Sequence, residues 1–210
     1  GYYSQTDGTA TVRGKLSLAP RGPIHGSVYG GAREFVVSGT GLMLFTGTGF
    51  DTTVTAGTPN WSLLSTLDLS GTLAFAPTTP QTQYLLAFSN DLGASAAAAT
   101  AANYLIGTLD LSGLDAPADV LSVIAAKNFT TNSIYINSLV GQSAGTVTDH
   151  LISGLRLYYD ATNSSPALGK QSFSLTGGGQ LLAFNIPEPA TLGLLLAGFF
   201  GLGRRRGRVV

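Results

Sequence analysis

The sequence predicts a mainly β protein, an antiparallel β-sandwich or jelly-roll-like body with one or two short helices, plus a C-terminal single apolar helix. Three observations carry this reading. Short runs rich in β-branched and aromatic residues recur through residues 1–186 with partial period-2 alternation. Those runs are bounded by Gly, Pro, Asn and Asp, and Gly alone supplies 28 of the 210 residues. Charged residues make up 10% of the chain, against about 25% in typical soluble domains. Its polar surface therefore rests on hydroxyls and amides, a balance common in secreted β-rich proteins and unusual in cytosolic enzymes.

Taken in order, strands are expected over 9–18, 33–38, 41–48, 61–69, 71–76, 83–88, 131–139, 153–160, 170–176 and 180–186. Gly-containing connections such as Ser38-Gly39-Thr40 and Thr176-Gly177-Gly178-Gly179 suit hairpin turns that need positive φ. The Ala-rich stretch 93–106 follows the cap candidates Ser89, Asn90 and Asp91 and reads as a helix, with a second short helix over 117–126. Many strands with few helices favour a sandwich over alternating βαβ units. The hexapeptide Thr-Leu-Asp-Leu-Ser-Gly occurs at 66–71 and again at 108–113. It reads as equivalent strands in two halves of one sandwich rather than a repeat array, which needs about three copies to show itself.

A chain of 210 residues suits one domain with appendages. It has no cysteine, and so no disulfide framework, thiolate metal site or cysteine nucleophile. Its first residues, Gly1-Tyr2-Tyr3-Ser4, carry neither a Met nor a signal-like apolar run, which fits either a removed signal or a fragment. The formal charge is zero, yet four of the 11 basic residues fall in the last seven positions. Without residues 187–210 the body keeps seven basic and ten acidic residues, a net −3. Such a body lacks the basic stripe that nucleic acid requires, and no Gly-rich phosphate motif sits between a strand and a helix. Neither a nucleic-acid partner nor a cofactor is expected.

The last residues read PEPATLGLLLAGFFGLGRRRGRVV. Pro187 and Pro189, flanking Glu188, fix φ and supply no N–H, so they end any preceding strand and make an extended joint. An uncharged apolar run over 190–203 follows, about 21 Å long as a helix against a hydrocarbon core of ~30 Å. Arg204, Arg205, Arg206 and Arg208 then favour the cytoplasmic side and leave the body facing outward. The residues alone also allow a plain membrane anchor. In its order of Pro-Glu-Pro, short apolar segment and terminal Arg cluster, this tail resembles the PEP-CTERM sorting signal of Gram-negative bacteria that secrete exopolysaccharide. The resemblance covers 187–210 only. It implies handling by a membrane-embedded cysteine peptidase, an exosortase, with Pro187, Glu188 and Pro189 as the recognition motif. It further implies an inner-membrane-anchored precursor, then cell-surface or extracellular-matrix localisation of the body.

Candidate chemistry in the body is sparse. Gly141-Gln142-Ser143-Ala144-Gly145 fits the G-x-S-x-G nucleophile elbow and follows a predicted strand. However, the downstream His150 is only seven residues on, directly after Asp149, and no βαβ framework holds the elbow. His25 and His150 are the two histidines, without paired spacing for a metal. Asp110, Asp115 and Asp119 match no calcium-loop signature and suit caps and turns. Trp61, Tyr84, Tyr104, Tyr135, Tyr158 and Tyr159 are candidates for a sugar-stacking platform or for core packing. Adjacent Tyr158 and Tyr159 should face opposite sides of a sheet, one of them to solvent, and Trp61 and Tyr159 are the residues chosen for carbohydrate contact. The expected class is a noncatalytic exported protein with a structural or adhesive role in an exopolysaccharide or biofilm matrix, exopolysaccharide being a partner. A carbohydrate-binding module and a secreted hydrolase are the alternatives.

Overall fold

A computed structural model describes residues 2–13, 15–16, 33–50, 64–87, 89–101, 105–125 and 132–184. The chain winds through short strands that each stack on the strand one circuit earlier. The first circuit holds β1 (Tyr2–Gln5), β2 (Thr9–Val12) and β3 (Lys15–Leu16), and the second holds β4 (Arg33–Val37), β5 (Leu42–Phe45) and β6 (Gly49–Phe50). The third holds β7 (Leu64–Asp68), β8 (Thr72–Phe75) and β9 (Thr82–Ala87), trailed by β10 (Ser89–Asn90) and helix α1 (Ala96–Ala101). Next come β11 (Leu105–Asp110) and β12 (Val120–Ala125), then β13 (Asn132–Val140), helix α2 (Ala144–His150) and β14 (Leu151–Ser153). The last circuits hold β15 (Arg156–Asp160), a 3-10 turn (Pro166–Leu168), β16 (Phe173–Ser174) and β17 (Gln180–Phe184).

Three sheets result, ordered β1-β4-β7, β16-β17-β15-β13-β11-β8-β5-β2 and β14-β12-β9-β6-β3. Only β10 on β13 and β16 on β17 pair antiparallel among the described residues, and the other twelve pairings are parallel. The body is a parallel β-solenoid. Its mainly β character agrees with the sequence, but the antiparallel sandwich or jelly roll is overturned. Alternation and Gly-bounded strands look the same in either arrangement, because the side-chain period is 2 in both. What differs is the partner, which here lies about one circuit away in sequence.

The interior is built by stacking like on like. Met43, Leu73, Leu109 and Leu139 occupy one register position of four successive coils and are all buried. Phe45 stacks on Phe75 with ring centroids 4.8 Å apart and planes 11° off parallel, the spacing of neighbouring strands. Leu85 of β9, Leu121 and Val123 of β12 and Leu151 of β14 close the same core from the third sheet. Burial of such side chains contributes about 1.5–3 kcal/mol each, offset largely by chain entropy.

A glycine ladder lets adjacent circuits approach. Gly8, Gly41, Gly71 and Gly107 precede the in-register residues Thr9, Leu42, Thr72 and Thr108. The carbonyls of the first three accept the N–H of Leu42, Thr72 and Thr108 at 2.9, 3.0 and 2.9 Å. A Cβ on Gly107 would lie 1.8 Å from the Ser70 carbonyl oxygen, and one on Gly41 2.2 Å from that of Gln5. No side chain fits there.

Local expectations fare unevenly. Ser38-Gly39-Thr40 joins two sheets rather than making a hairpin, whereas Gly177 and Gly178, both at positive φ, do sit in the β16–β17 hairpin. The helix expected over 117–126 is strand β12, whose Val-Leu-Ser-Val-Ile-Ala sequence is held between β9 and β14. The helix expected over 93–106 is shorter, because Leu105 and Ile106 are drawn into β11 opposite Tyr135 and Ile136. Helix α2 had not been expected. The apolar C-terminal helix lies outside the described residues, and among those described no helix is long and apolar enough to cross a membrane.

Candidate functional site

Three clusters of polar side chains stand out, and the first pins a flap to the outside of the second sheet. Tyr135 and Tyr158, in register on β13 and β15, stack with centroids 4.8 Å apart. They form a small apolar cluster with Ala98 and Ala99 of α1 and with Phe184 of β17. The Tyr135 hydroxyl accepts the Leu92 N–H at 2.9 Å and donates to the Gly93 carbonyl at 3.1 Å. Tyr158 donates to Asp91 Oδ1 at 2.5 Å, and Arg156 lies 3.6 Å from Asp91 Oδ2. Arg156 is 61% exposed, so that ion pair contributes at most about 1 kcal/mol. Burial, reinforced by the Asp91 carboxylate, raises the Tyr158 pKa. Burial also raises those of Tyr135 and Tyr159.

A second cluster closes the last coils. Buried Asp160 accepts the Thr162 N–H and hydroxyl on Oδ1, at 2.8 and 2.6 Å, and the Asn163 amide on Oδ2 at 2.9 Å. Asn163 also donates to Asn137 Oδ1 at 3.2 Å. Ser164 donates to the Asp160 carbonyl and accepts the Leu139 N–H. The same Asx turn recurs where Asp68 accepts the Ser70 N–H and Asp110 the Ser112 N–H, both at 2.9 Å. This is what the repeated Thr-Leu-Asp-Leu-Ser-Gly shares. The two copies are not stacked, since Thr108 pairs with Thr72 and not with Thr66. The Asp-x-Ser/Thr triplet at 68–70, 110–112 and 160–162 is the sequence signal that marks these corners.

The third cluster tests the hydrolase-like motif. Ser143 precedes α2 and His150 ends it, a rise of about 10 Å. That exceeds the ~3 Å reach of a nucleophile and its base. The His150 ring is buried and its Nδ1–H is given to the Asp119 carbonyl. Gly141, for its part, packs under Val147.

The other candidates are scattered. Asp119 is buried and accepts the Ala116 N–H, Asp115 is exposed, and Asp110 serves its turn. Among the described residues no three His, Asp or Glu side chains group as metal ligands. Tyr158 and Tyr159 do face opposite sides, but neither is exposed, which corrects the expectation that one would be. Tyr159 lies in the solenoid interior and donates to the Gln171 carbonyl, while α1 covers Tyr158. A fully enclosed Tyr159 ring presents no face to a sugar. Tyr84 is half-buried, and Trp61, Tyr104 and His25 lie outside the described residues.

Together these clusters define a solenoid whose polar groups are spent on corners and on one flap. Its last described strand reaches Phe184. Directly after it, residues 185–208 match the family model of the PEP-CTERM protein-sorting motif, so the chain carries that motif. Pro187, Glu188, Pro189, Arg204, Arg205, Arg206 and Arg208 all fall within the match. The motif implies an exported protein recognised and processed by an exosortase from a membrane-anchored precursor. No curated protein and no solved structure matches the chain.

Proposed function

We propose that the solenoid is a noncatalytic body displayed at the cell surface or in the extracellular matrix, with a structural or adhesive role in an exopolysaccharide or biofilm matrix. One observation carries the reading: the last described strand of the body reaches Phe184, and the sorting motif is matched from residue 185 on. A body joined so directly to its address has little between them but the processing region. In support, the separation of Ser143 from His150 by the length of α2 argues against a hydrolase. The low charge of the chain, 10% of its residues, also suits contact with neutral polysaccharide. Exopolysaccharide is the proposed partner, and nucleic acid is not one.

The test is co-sedimentation of the full chain with matrix polysaccharide from a host that carries an exosortase. Retention in the polysaccharide pellet, unchanged by Ser143→Ala, is the expected result. Loss of retention on Trp61→Ala alone would make the body a dedicated carbohydrate-binding module. Ester hydrolysis abolished by Ser143→Ala would overturn the noncatalytic role.

A further inference from the structure

All three sheets end together on the first circuit, where β1, β2 and β3 are each an edge strand, and among the described residues nothing pairs with that edge. The core is incompletely closed there. Tyr3 and Val12 are half-buried, whereas Phe35 and Phe45, their register partners one coil on, are buried. Edge strands are ordinarily guarded by charge, proline or a bulge, yet β1 reads Tyr-Tyr-Ser-Gln and β2 Thr-Ala-Thr-Val. The far end of the second sheet differs, for β16 folds back antiparallel on β17.

The parallel ladder fixes what β2 offers. Leu42 and Thr46 give their N–H groups to the carbonyls of Gly8 and Val12, at 2.9 Å each, so the even positions of β2 bond to β5. Thr9 and Thr11, both exposed, turn their N–H and C=O groups to the open edge. The antiparallel register in which two such strands pair all these groups with each other sets Thr9 of each chain opposite Thr11 of the other. Ala10 then meets Ala10 on a two-fold axis. Ala10 and Val12 share the inner face with Met43 and Phe45, and directly opposed residues point to one face, so the two cores run on into each other.

Charge agrees with this register. It brings Asp7, just before β2, against Arg13, just after β2, of the second chain, and does so twice. Both residues are exposed. Among the described residues Asp7 accepts its hydrogen bonds on Oδ1, from the Gly8 N–H at 2.7 Å and the Thr40 hydroxyl at 2.9 Å, so Oδ2 is left for a cation. An edge with opposite charges at its two ends is complementary to its own reverse, which favours a second copy over an unrelated extended peptide.

We infer that the first circuit is a docking surface for a second copy of this chain, joined head to head through β2 as a two-fold dimer. The inference does not depend on the role proposed above. In such a dimer the two β17 strands lie near opposite ends of a body of doubled length.

The test follows the full chain, kept soluble in detergent, by sedimentation over a dilution series. Expected is a dimer whose dissociation constant rises roughly tenfold with Asp7→Arg or with Arg13→Asp, since either sets like charges face to face. Mixing the two variants should restore the wild-type affinity, because each supplies the sign the other lacks. The chain has no cysteine, so Ala10→Cys places a lone thiol on the two-fold axis. Mild oxidation should cross-link that variant and leave Thr9→Cys uncross-linked, which reports the register even where a charge variant fails to fold. A monomer throughout the series, a mixture no tighter than its components, or cross-linking through Thr9→Cys in place of Ala10→Cys would overturn the head-to-head dimer.

Discussion

Early and late coils of the solenoid treat the same register position in opposite ways. In the first four coils it is glycine, at Gly8, Gly41, Gly71 and Gly107, and at the last three neighbouring backbone fills the space a side chain would need. One coil later the position before Ser138 is Asn137, in the middle of the long strand β13. There a side chain stands instead, and the Asn163 amide donates both to Asn137 Oδ1 and to the Asp160 carboxylate. The first solution excludes atoms and tolerates no graded change. The second is a hydrogen-bond network, whose members can be removed one at a time.

The largest effect should come from breaking the steric half. Gly107→Val places a Cβ where 1.8 Å separates it from the Ser70 oxygen, and backbone cannot yield as a flexible side chain can. A loss of about 3 kcal/mol or more is expected from overpacking of this severity, read as a lower urea midpoint at unchanged slope. Retention of wild-type stability would mean that the coils can separate locally, and that the ladder is not what sets their spacing.

Breaking the chemical half should cost less. Asp160→Ala removes the buried charged acceptor that the Thr162 N–H and hydroxyl and the Asn163 amide share, for about 2 kcal/mol. Asp160→Asn keeps one accepting oxygen and should recover about half of that. Equal losses for the two variants would show that charge, rather than acceptor geometry, holds the corner.

The flap sharpens the comparison through pH. Tyr135, Tyr158 and Tyr159 have pKa values raised from 10.0 by burial, so the folded state favours their neutral form. Their contribution is fully present below the unfolded value near 10 and is lost as pH rises through the higher folded values. Tyr158→Phe should flatten this alkaline limb, at a cost near neutrality of about 1 kcal/mol for the lost bond to Asp91. An alkaline limb identical to wild type in a urea series from pH 8 to 11 would refute the assignment.

The smallest effect belongs to the open end of the glycine ladder. A Cβ on Gly8 meets only the Gln5 amide, at 3.9 Å, so only its positive φ of 70° opposes a side chain. Gly8→Ala should cost about 1 kcal/mol, well below Gly107→Val. If the two variants cost the same, backbone strain and not coil spacing explains the ladder.

These contrasts also mark how much was legible beforehand. Strand positions such as 33–38 and 180–186 emerge well from alternation and Gly boundaries, because those features are local. The strand at 105–110 is missed because its Ala-rich approach continues a helical pattern, and only stacking on β13 pulls Leu105 and Ile106 out of it. Tyr158 and Tyr159 are expected on opposite sides of a sheet with one of them exposed, and a helix from another part of the chain covers Tyr158. The glycine ladder was within reach as Gly followed at the second and fourth positions by apolar residues, Ala10 and Val12, Met43 and Phe45, Leu73 and Phe75, Leu109 and Leu111. Its spacings of 33, 30 and 36 residues drift enough to hide a repeat.

The sequence by itself determined the sorting tail, because a peptidase and a membrane read the order of Pro-Glu-Pro, apolar run and arginines along the chain without reference to a fold. It likewise determined that the body is built of short strands with tight corners. Tertiary structure alone decided that those strands stack parallel, one circuit on the next. A strand's alternation says which face is apolar but carries no label for the direction or identity of its neighbour. That choice is made where Met43, Leu73, Leu109 and Leu139 come into register and the glycines let their backbones meet.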